Sequence, residues 1–117
     1  MEFIFNNERP IYLQLSEQMK TAMIAGNFAP GEKLPSVREL AAQAKINPNT
    51  VQKALGELER QGLIFTERTN GKFVTCKSDA IEKAKEALAL SIAKRYLDEM
   101  RSIGISQSEA LNIIQNL

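Results

Sequence analysis

A chain of 117 residues that is 44% hydrophobic and 25% charged, with four Pro and six Gly, has the composition of a globular domain. It can build one modest core and leaves little room for a separate ligand domain. It has no His and a single Cys, Cys76, which removes the usual metal ligands, the usual general base and any intramolecular disulfide. Net charge is +1, so bulk charge gives no nucleic-acid signal. Residues 1–77 hold ten Lys/Arg and eight Asp/Glu, whereas residues 78–117 hold five and six. Recognition of nucleic acid would therefore rest on where charges are placed. No apolar run approaches the ~18 residues of a membrane span, and the N-terminus does not read as a signal peptide, so a cytoplasmic protein is expected.

Met1 to Arg9 reads as an extended arm, with Phe3 and Phe5 alternating with Glu2 and Ile4 over too short a run to make a strand. Pro10 is suited to the first turn of a helix, where its missing N–H costs nothing. Tyr12, Leu15, Met19, Ala22 and Met23 then recur at three- and four-residue steps, which predicts an amphipathic scaffold helix ended by Gly26-Asn27. Phe28 is expected to tuck into the core. Ala29 to Glu32 is a turn, and Lys33-Leu34 suits a very short strand.

Ser36 with Glu39 forms a capping-box pattern and opens a second helix, with Leu40, Ala41 and Ala44 on its buried side and Arg38 pointing outward. Asn47-Pro48 opens a third, Asn being a preferred N-cap and Pro a preferred first residue. Only Lys45-Ile46 separates the two helices, a tight helix-turn-helix connection. Val51, Ala54, Leu55 and Leu58 form the inward stripe of the third helix; Asn49, Thr50, Gln52, Lys53 and Gly56 fall opposite, and Gly62 closes it. Leu63–Glu67 and Lys72–Thr75 are β-rich runs joined through Asn70-Gly71, a strong hairpin signal, so they form a wing whose tip carries Arg68 and Lys72. Cys76, at the end of that strand, is expected to be a small core residue.

Ser78 or Asp79 can cap a long helix running to about Ser102, with Ile81, Ala84, Leu88, Ile92 and Tyr96 on one stripe. Gly104 stops it, and Ser106 with Glu109 opens a last helix lined by Leu111, Ile114 and Leu117. Two such helices cannot bury their stripes alone. Periodicity leaves their partner open, either the first helix of the same chain or a second chain.

The expected fold is mainly α with a small β-hairpin wing: a winged helix-turn-helix over residues 1–77 and a two-helix tail over residues 78–117. The major groove of DNA, about 12 Å wide, admits one helix, and a recognition helix offers its N-terminal residues to base edges. Asn49 and Gln52 can pair with adenine, Lys53 with guanine or phosphate, and Thr50 can donate to phosphate. Open N–H groups near Asn49 would add an anion site. Arg38, on the preceding helix, can reach a phosphate or a guanine, and the wing residues Arg68 and Lys72 would lie along the backbone or the adjacent minor groove. Glu57 and Glu59 lie too far along to meet the groove.

The stretches Leu34-Pro35-Ser36-Val37-Arg38-Glu39-Leu40-Ala41, Asn47-Pro48-Asn49-Thr50-Val51, Gly62-Leu63-Ile64 and Gly71-Lys72-Phe73-Val74 closely resemble the DNA-binding domain of GntR-family bacterial regulators. The likeness covers residues 10–76. The Asn-Pro-Asn-Thr helix start, Pro10-Ile11-Tyr12 and the short tail are similar to the YtrA-type subfamily. By position, the resemblance assigns DNA contacts to Arg38, Asn49, Thr50, Gln52, Gly71 and Lys72. It also implies a homodimer held by the C-terminal helices, which makes Ile81, Leu88, Ile92, Tyr96, Leu111 and Ile114 the dimerisation candidates, and it suggests control of a transporter operon. Many members have Arg where this chain has Pro48 and Gln52, so base readout should differ. The wing also lacks the second Gly common in that loop. Double-stranded DNA and a second copy of the chain are the expected partners, with no membrane, cofactor, metal or catalytic residue. A winged helix that binds another protein is the competing reading, and the tail has no obvious room for an effector pocket of ~300 Å³.

Overall fold

Five α-helices and one antiparallel hairpin make up the computed structural model, which describes residues 1–117. In chain order they are α1 (Ile11–Ile24), α2 (Val37–Ala44), α3 (Pro48–Arg60), β1 (Ile64–Glu67), β2 (Gly71–Val74), α4 (Ser78–Ser102) and α5 (Gln107–Gln115). They form a winged helix-turn-helix followed by two further helices. The chain divides into two compact units, Met1–Glu82 and Lys83–Leu117.

In the first unit the apolar sides of α1, α2 and α3 meet under the hairpin. Leu15, Met19, Leu40, Val51, Leu55, Leu58, Leu63 and Val74 are fully buried. Each such side chain contributes about 1.5–3 kcal/mol on burial, so these stripes dominate the stability of the unit. The helix ends are set locally. Asn27 N–H donates to Ala22 C=O and Gly26 N–H to Met23 C=O, and the same pair of bonds recurs at Leu63→Leu58 and Gly62→Glu59. Both are Schellman closures, with Gly26 at φ 86° and Gly62 at φ 76°. Lys45 takes the left-handed position after α2, at φ 58°, where a side chain is strained. Pro10 sits just outside α1 as its N-cap, with ψ 135°, rather than in the first turn.

The arm is not a strand. Its backbone is instead clamped by two glutamines on α1. Gln14 accepts from Asn6 N–H at 3.0 Å and donates to the carbonyls of Asn6 and Arg9, while Gln18 accepts from and donates to the backbone of Ile4. Gln14 is buried with this bonding satisfied, a polar core residue that periodicity did not disclose. Phe3 and Phe5 stack at 6.2 Å, and Phe28 is half-buried rather than fully enclosed.

In the hairpin, Ile64 pairs with Val74, Phe65 with Phe73, Thr66 with Lys72 and Glu67 with Gly71. Three residues, Arg68 to Asn70, lie between the paired ends, so Asn70-Gly71 is not the central pair of a two-residue turn. Gly71 opens β2 at φ 99°. The Lys33 segment flanks β2 through a bridge to Phe73 and the bond Leu34 N–H→Lys72 C=O at 2.8 Å. Cys76 is exposed, contrary to the expectation of a core residue. β2 ends at Val74, and Val74 and Thr75 are buried in succession, so pleat alternation has lapsed before Cys76, which lies beyond the strand.

In the second unit α4, from Lys83 onward, and α5 are joined through Gly104. Ser106 and Glu109 form the expected capping box. Ala110 is fully buried, and Tyr96 Oη donates to its carbonyl at 2.7 Å. No residue of α4 is fully buried, and Leu90, Ile92, Leu111, Ile113, Ile114 and Leu117 are all exposed.

Candidate nucleic-acid interface

The surface in question is built from the start of α3, the first turn of α2 and the wing. Asn47 caps α3 with its side-chain oxygen on Asn49 N–H at 2.8 Å, and Pro48 follows at the first helical position. The inward residues Val51, Ala54, Leu55 and Leu58 are buried, which fixes the roll of the helix. Asn49, Gln52, Lys53 and Gly56 are consequently exposed, and Thr50 is half-buried. The anion site expected from open N–H groups near Asn49 is not there. Asn47 Oδ1 takes the Asn49 N–H, Asn47 C=O takes the Thr50 N–H at 3.0 Å, and Pro48 has none.

The four cations named from the sequence divide into two kinds. Arg38, in the first turn of α2, and Arg68, in the wing turn, are exposed and make no ion pair. The other two are engaged within the domain. Lys53 Nζ stands 4.2 Å over the centre of the Tyr12 ring, a cation–π contact to α1. Lys72 is not at the tip of the wing. It lies within β2 opposite Thr66, and its Nζ donates to Glu59 Oε1 at 3.0 Å and to Thr66 Oγ1 at 2.7 Å. These bonds hold the Glu59 carboxyl below its ordinary range, Lys72 contributing most and Thr66 next. Glu59, dismissed from the sequence as too far along α3, thus reaches the wing. Only the Thr66–Lys72 register could have hinted at this cluster in advance.

Gly71 is strained for any side chain, at φ 99°, and a Cβ there would come 3.3 Å from Lys33 Cε. Beyond Glu59, Glu57 is held at about 2 by Arg60, which bonds it through Nε at 3.1 Å, and by Gln61 at 3.0 Å. The first two turns of α3, residues 48–55, themselves contain no acid.

The sequence pattern of the bacterial regulatory proteins of the gntR family matches residues 11–74. The chain belongs to the GntR family. It is a DNA-binding transcriptional regulator with the family's winged helix-turn-helix. The match begins with α1 and ends with β2, so every residue that the sequence assigned to DNA contact falls inside the family pattern. The chain is 53% identical to the transcriptional repressor YtrA of Bacillus subtilis over 94 residues, 78% of this chain and 68% of that protein. A GntR family transcriptional regulator from Listeria monocytogenes is 33% identical with a TM-score of 0.88, the match covering 97% of this chain and 99% of that one. The DNA-binding domain of AraR in complex with an operator is 30% identical with a TM-score of 0.60, over 64% of this chain and 96% of that one. The likeness to the Listeria regulator extends over α4 and α5, whereas the AraR likeness is confined to about two-thirds of the chain. No helix is long and apolar enough to cross a membrane.

Proposed function

We propose that this GntR regulator is a homodimeric repressor that binds a pseudo-palindromic operator. The observation that carries the reading is the roll of α3. Its buried stripe leaves Asn49, Gln52 and Lys53 outward on one side, with the free cations Arg38 and Arg68 on the flanking α2 turn and wing turn. In this reading α3 enters the major groove, and Asn49, Gln52 and Lys53 read base edges. Arg38, Thr50, Arg68 and Lys72 contact phosphate, and Gly71 lets the wing backbone come close. Pro48 and Gln52 stand where many relatives carry Arg, so the operator differs from theirs.

Residues 1–77 act as the DNA-binding part and residues 78–117 as the dimerisation part. Support for the second assignment is apolar exposure. Ile92 is 47% exposed, Leu111 46% and Ile114 47%, on helices too few to cover them alone. Ile81, Leu88 and Tyr96 complete the assigned interface, although the Tyr96 hydroxyl is already used within its own unit. Repression is drawn from the likeness to proteins named as repressors, and control of a transporter operon from the YtrA-type resemblance. The protein acts in the cytoplasm, without cofactor or catalysis.

Fluorescence anisotropy tests this reading. The protein is titrated into a duplex from upstream of its own gene and into a scrambled duplex, at several salt concentrations. Tight binding that discriminates between the two and weakens with salt is the expected result, the slope counting the phosphates engaged. Weak, equal binding to both would sink it in favour of a winged helix that binds a protein.

A further inference from the structure

Lys72, assigned to DNA phosphate, is already bonded in the free domain. Its ammonium donates to Glu59 Oε1 and to Thr66 Oγ1, and the Thr66 hydroxyl donates to the same Glu59 oxygen at 2.9 Å. One carboxylate oxygen at the end of α3 thereby gathers a donor from each strand of the wing. The pair sits at the surface, the Lys72 side chain 29% exposed and the Glu59 side chain 43%, so an incoming phosphate can reach the ammonium. The other oxygen of Glu59 takes no hydrogen bond from the protein, so within the protein Thr66 alone remains to the carboxylate when Lys72 moves away. Arg38 and Arg68 have no such competitor.

We propose that Glu59 is an electrostatic latch on the wing: it holds the Lys72 ammonium in the free protein, and a DNA phosphate must displace it before Lys72 adds to affinity. This rests on the reading of the domain as a binder of duplex DNA. The latch makes Glu59 a positioning residue that subtracts from binding and sets how much of the wing's charge is available. An exposed ion pair is weak, so displacement by the duplex is easy but not free. The alternative role for the same geometry is a strut, in which Glu59 keeps Lys72 in place while Lys72 touches the phosphate. The two differ in sign. A latch pair is stronger in the free protein than in the complex, whereas a strut pair is at least as strong in the complex.

A double-mutant cycle reads that sign. Glu59→Gln keeps the side-chain shape and an oxygen for Thr66 and removes only the charge. It is measured alone and in a Lys72→Met background, by anisotropy with the upstream duplex at low and moderate salt, after thermal melts show that the variants fold. A negative charge near DNA costs affinity in either background, so some gain from Glu59→Gln is expected in both. The latch predicts a larger gain when Lys72 is present, by about 1.5- to 5-fold, the excess shrinking as salt rises. Equal gains would reduce Glu59 to bulk charge, and a smaller gain would make it a strut; either overturns the latch. So would a Lys72→Met protein that binds like the native one, since Lys72 would then not meet the duplex. The underlying reading fails separately and earlier, if the native protein binds the upstream and scrambled duplexes weakly and equally, and the latch falls with it.

Discussion

Asn47→Asp separates folding from binding at the recognition helix. Asn47 is exposed, and its side-chain oxygen accepts the Asn49 N–H at 2.8 Å. Aspartate is as good an N-cap as asparagine and keeps that acceptor. It also puts a full negative charge at the positive end of the 13-residue α3, which is favourable by about 0.3–1 kcal/mol. The same charge would stand at the end of the helix offered to DNA. At ~8 Å from a phosphate, with an effective dielectric of ~40, the repulsion is about 1 kcal/mol, or roughly fivefold in Kd. The expected outcome is a melting temperature that is unchanged or a few degrees higher, with affinity about fivefold weaker and the loss smaller at high salt. Circular dichroism melts and anisotropy on the upstream duplex measure the two quantities. Asn47→Ala serves as control, losing the cap at a cost of about 1 kcal/mol without adding charge. Affinity unchanged in Asn47→Asp would mean that the start of α3 does not face phosphate. A fall in stability would refute the reasoning about the cap.

Three further outcomes are expected. Lys45→Gly relieves a left-handed residue at φ 58° and should stabilise the protein by about 0.5–1 kcal/mol, seen as a higher denaturant midpoint; a lower midpoint would mean the Lys45 side chain contributes more than its strain costs. Ile92→Glu with Leu111→Glu places charge on the exposed apolar residues of α4 and α5, and sedimentation should show monomers where the native protein shows dimers; a native monomer at micromolar concentration would remove the dimer assignment. Glu57 is held at about 2 in the folded state by Arg60 and Gln61, below its ordinary 4.5. A depressed carboxyl stabilises the fold above its unfolded value and loses that contribution as pH falls through the folded one. Acid melts between pH 5 and 2 should therefore fall less steeply in Arg60→Met than in the native protein, and identical slopes would show that the pair carries no linkage.

The features legible in the sequence are those whose cause lies within a few residues. Ser36 with Glu39 and Ser106 with Glu109 close their capping boxes as the spacing says, because both partners lie on one helical turn. Asn47-Pro48 opens α3, and Gly62 closes it, for the same reason. The inward stripe of α3 follows from period alone, and with it the outward place of Asn49 and Gln52. What escaped depends on residues distant in the chain. Gln14 is buried because the arm supplies Asn6 and Arg9 carbonyls to its amide, eight and five residues away. Lys53 leans on Tyr12 because α1 crosses α3, and no pattern in either helix announces it. Cys76 was misplaced because it lies past the end of β2 at Val74, where the strand no longer sets which side a residue faces.

Charge shows why such distant contacts matter most for function. Residues 1–77 hold ten cations and eight acids, a balance that says almost nothing about DNA. Pairing says much more. Arg9 is joined to Glu17 and Arg60 to Glu57, and neither arginine belongs to the assigned DNA contacts. Lys72 is joined to Glu59 on the wing itself, and Lys53 is drawn to an aromatic ring. Arg38 and Arg68 remain as the unpaired arginines of this unit, one in the first turn of α2 and one in the wing turn. A domain with a net charge near zero can still present unpaired arginines to a duplex, because which cations its acids pair with matters more than the total. In this arrangement acids act as selectors among cations. Glu17 and Glu57 pair with arginines outside the assigned DNA contacts, whereas Glu59 pairs with a residue that a phosphate can reclaim. Moving one acid to a new partner would redraw the DNA surface without altering the composition.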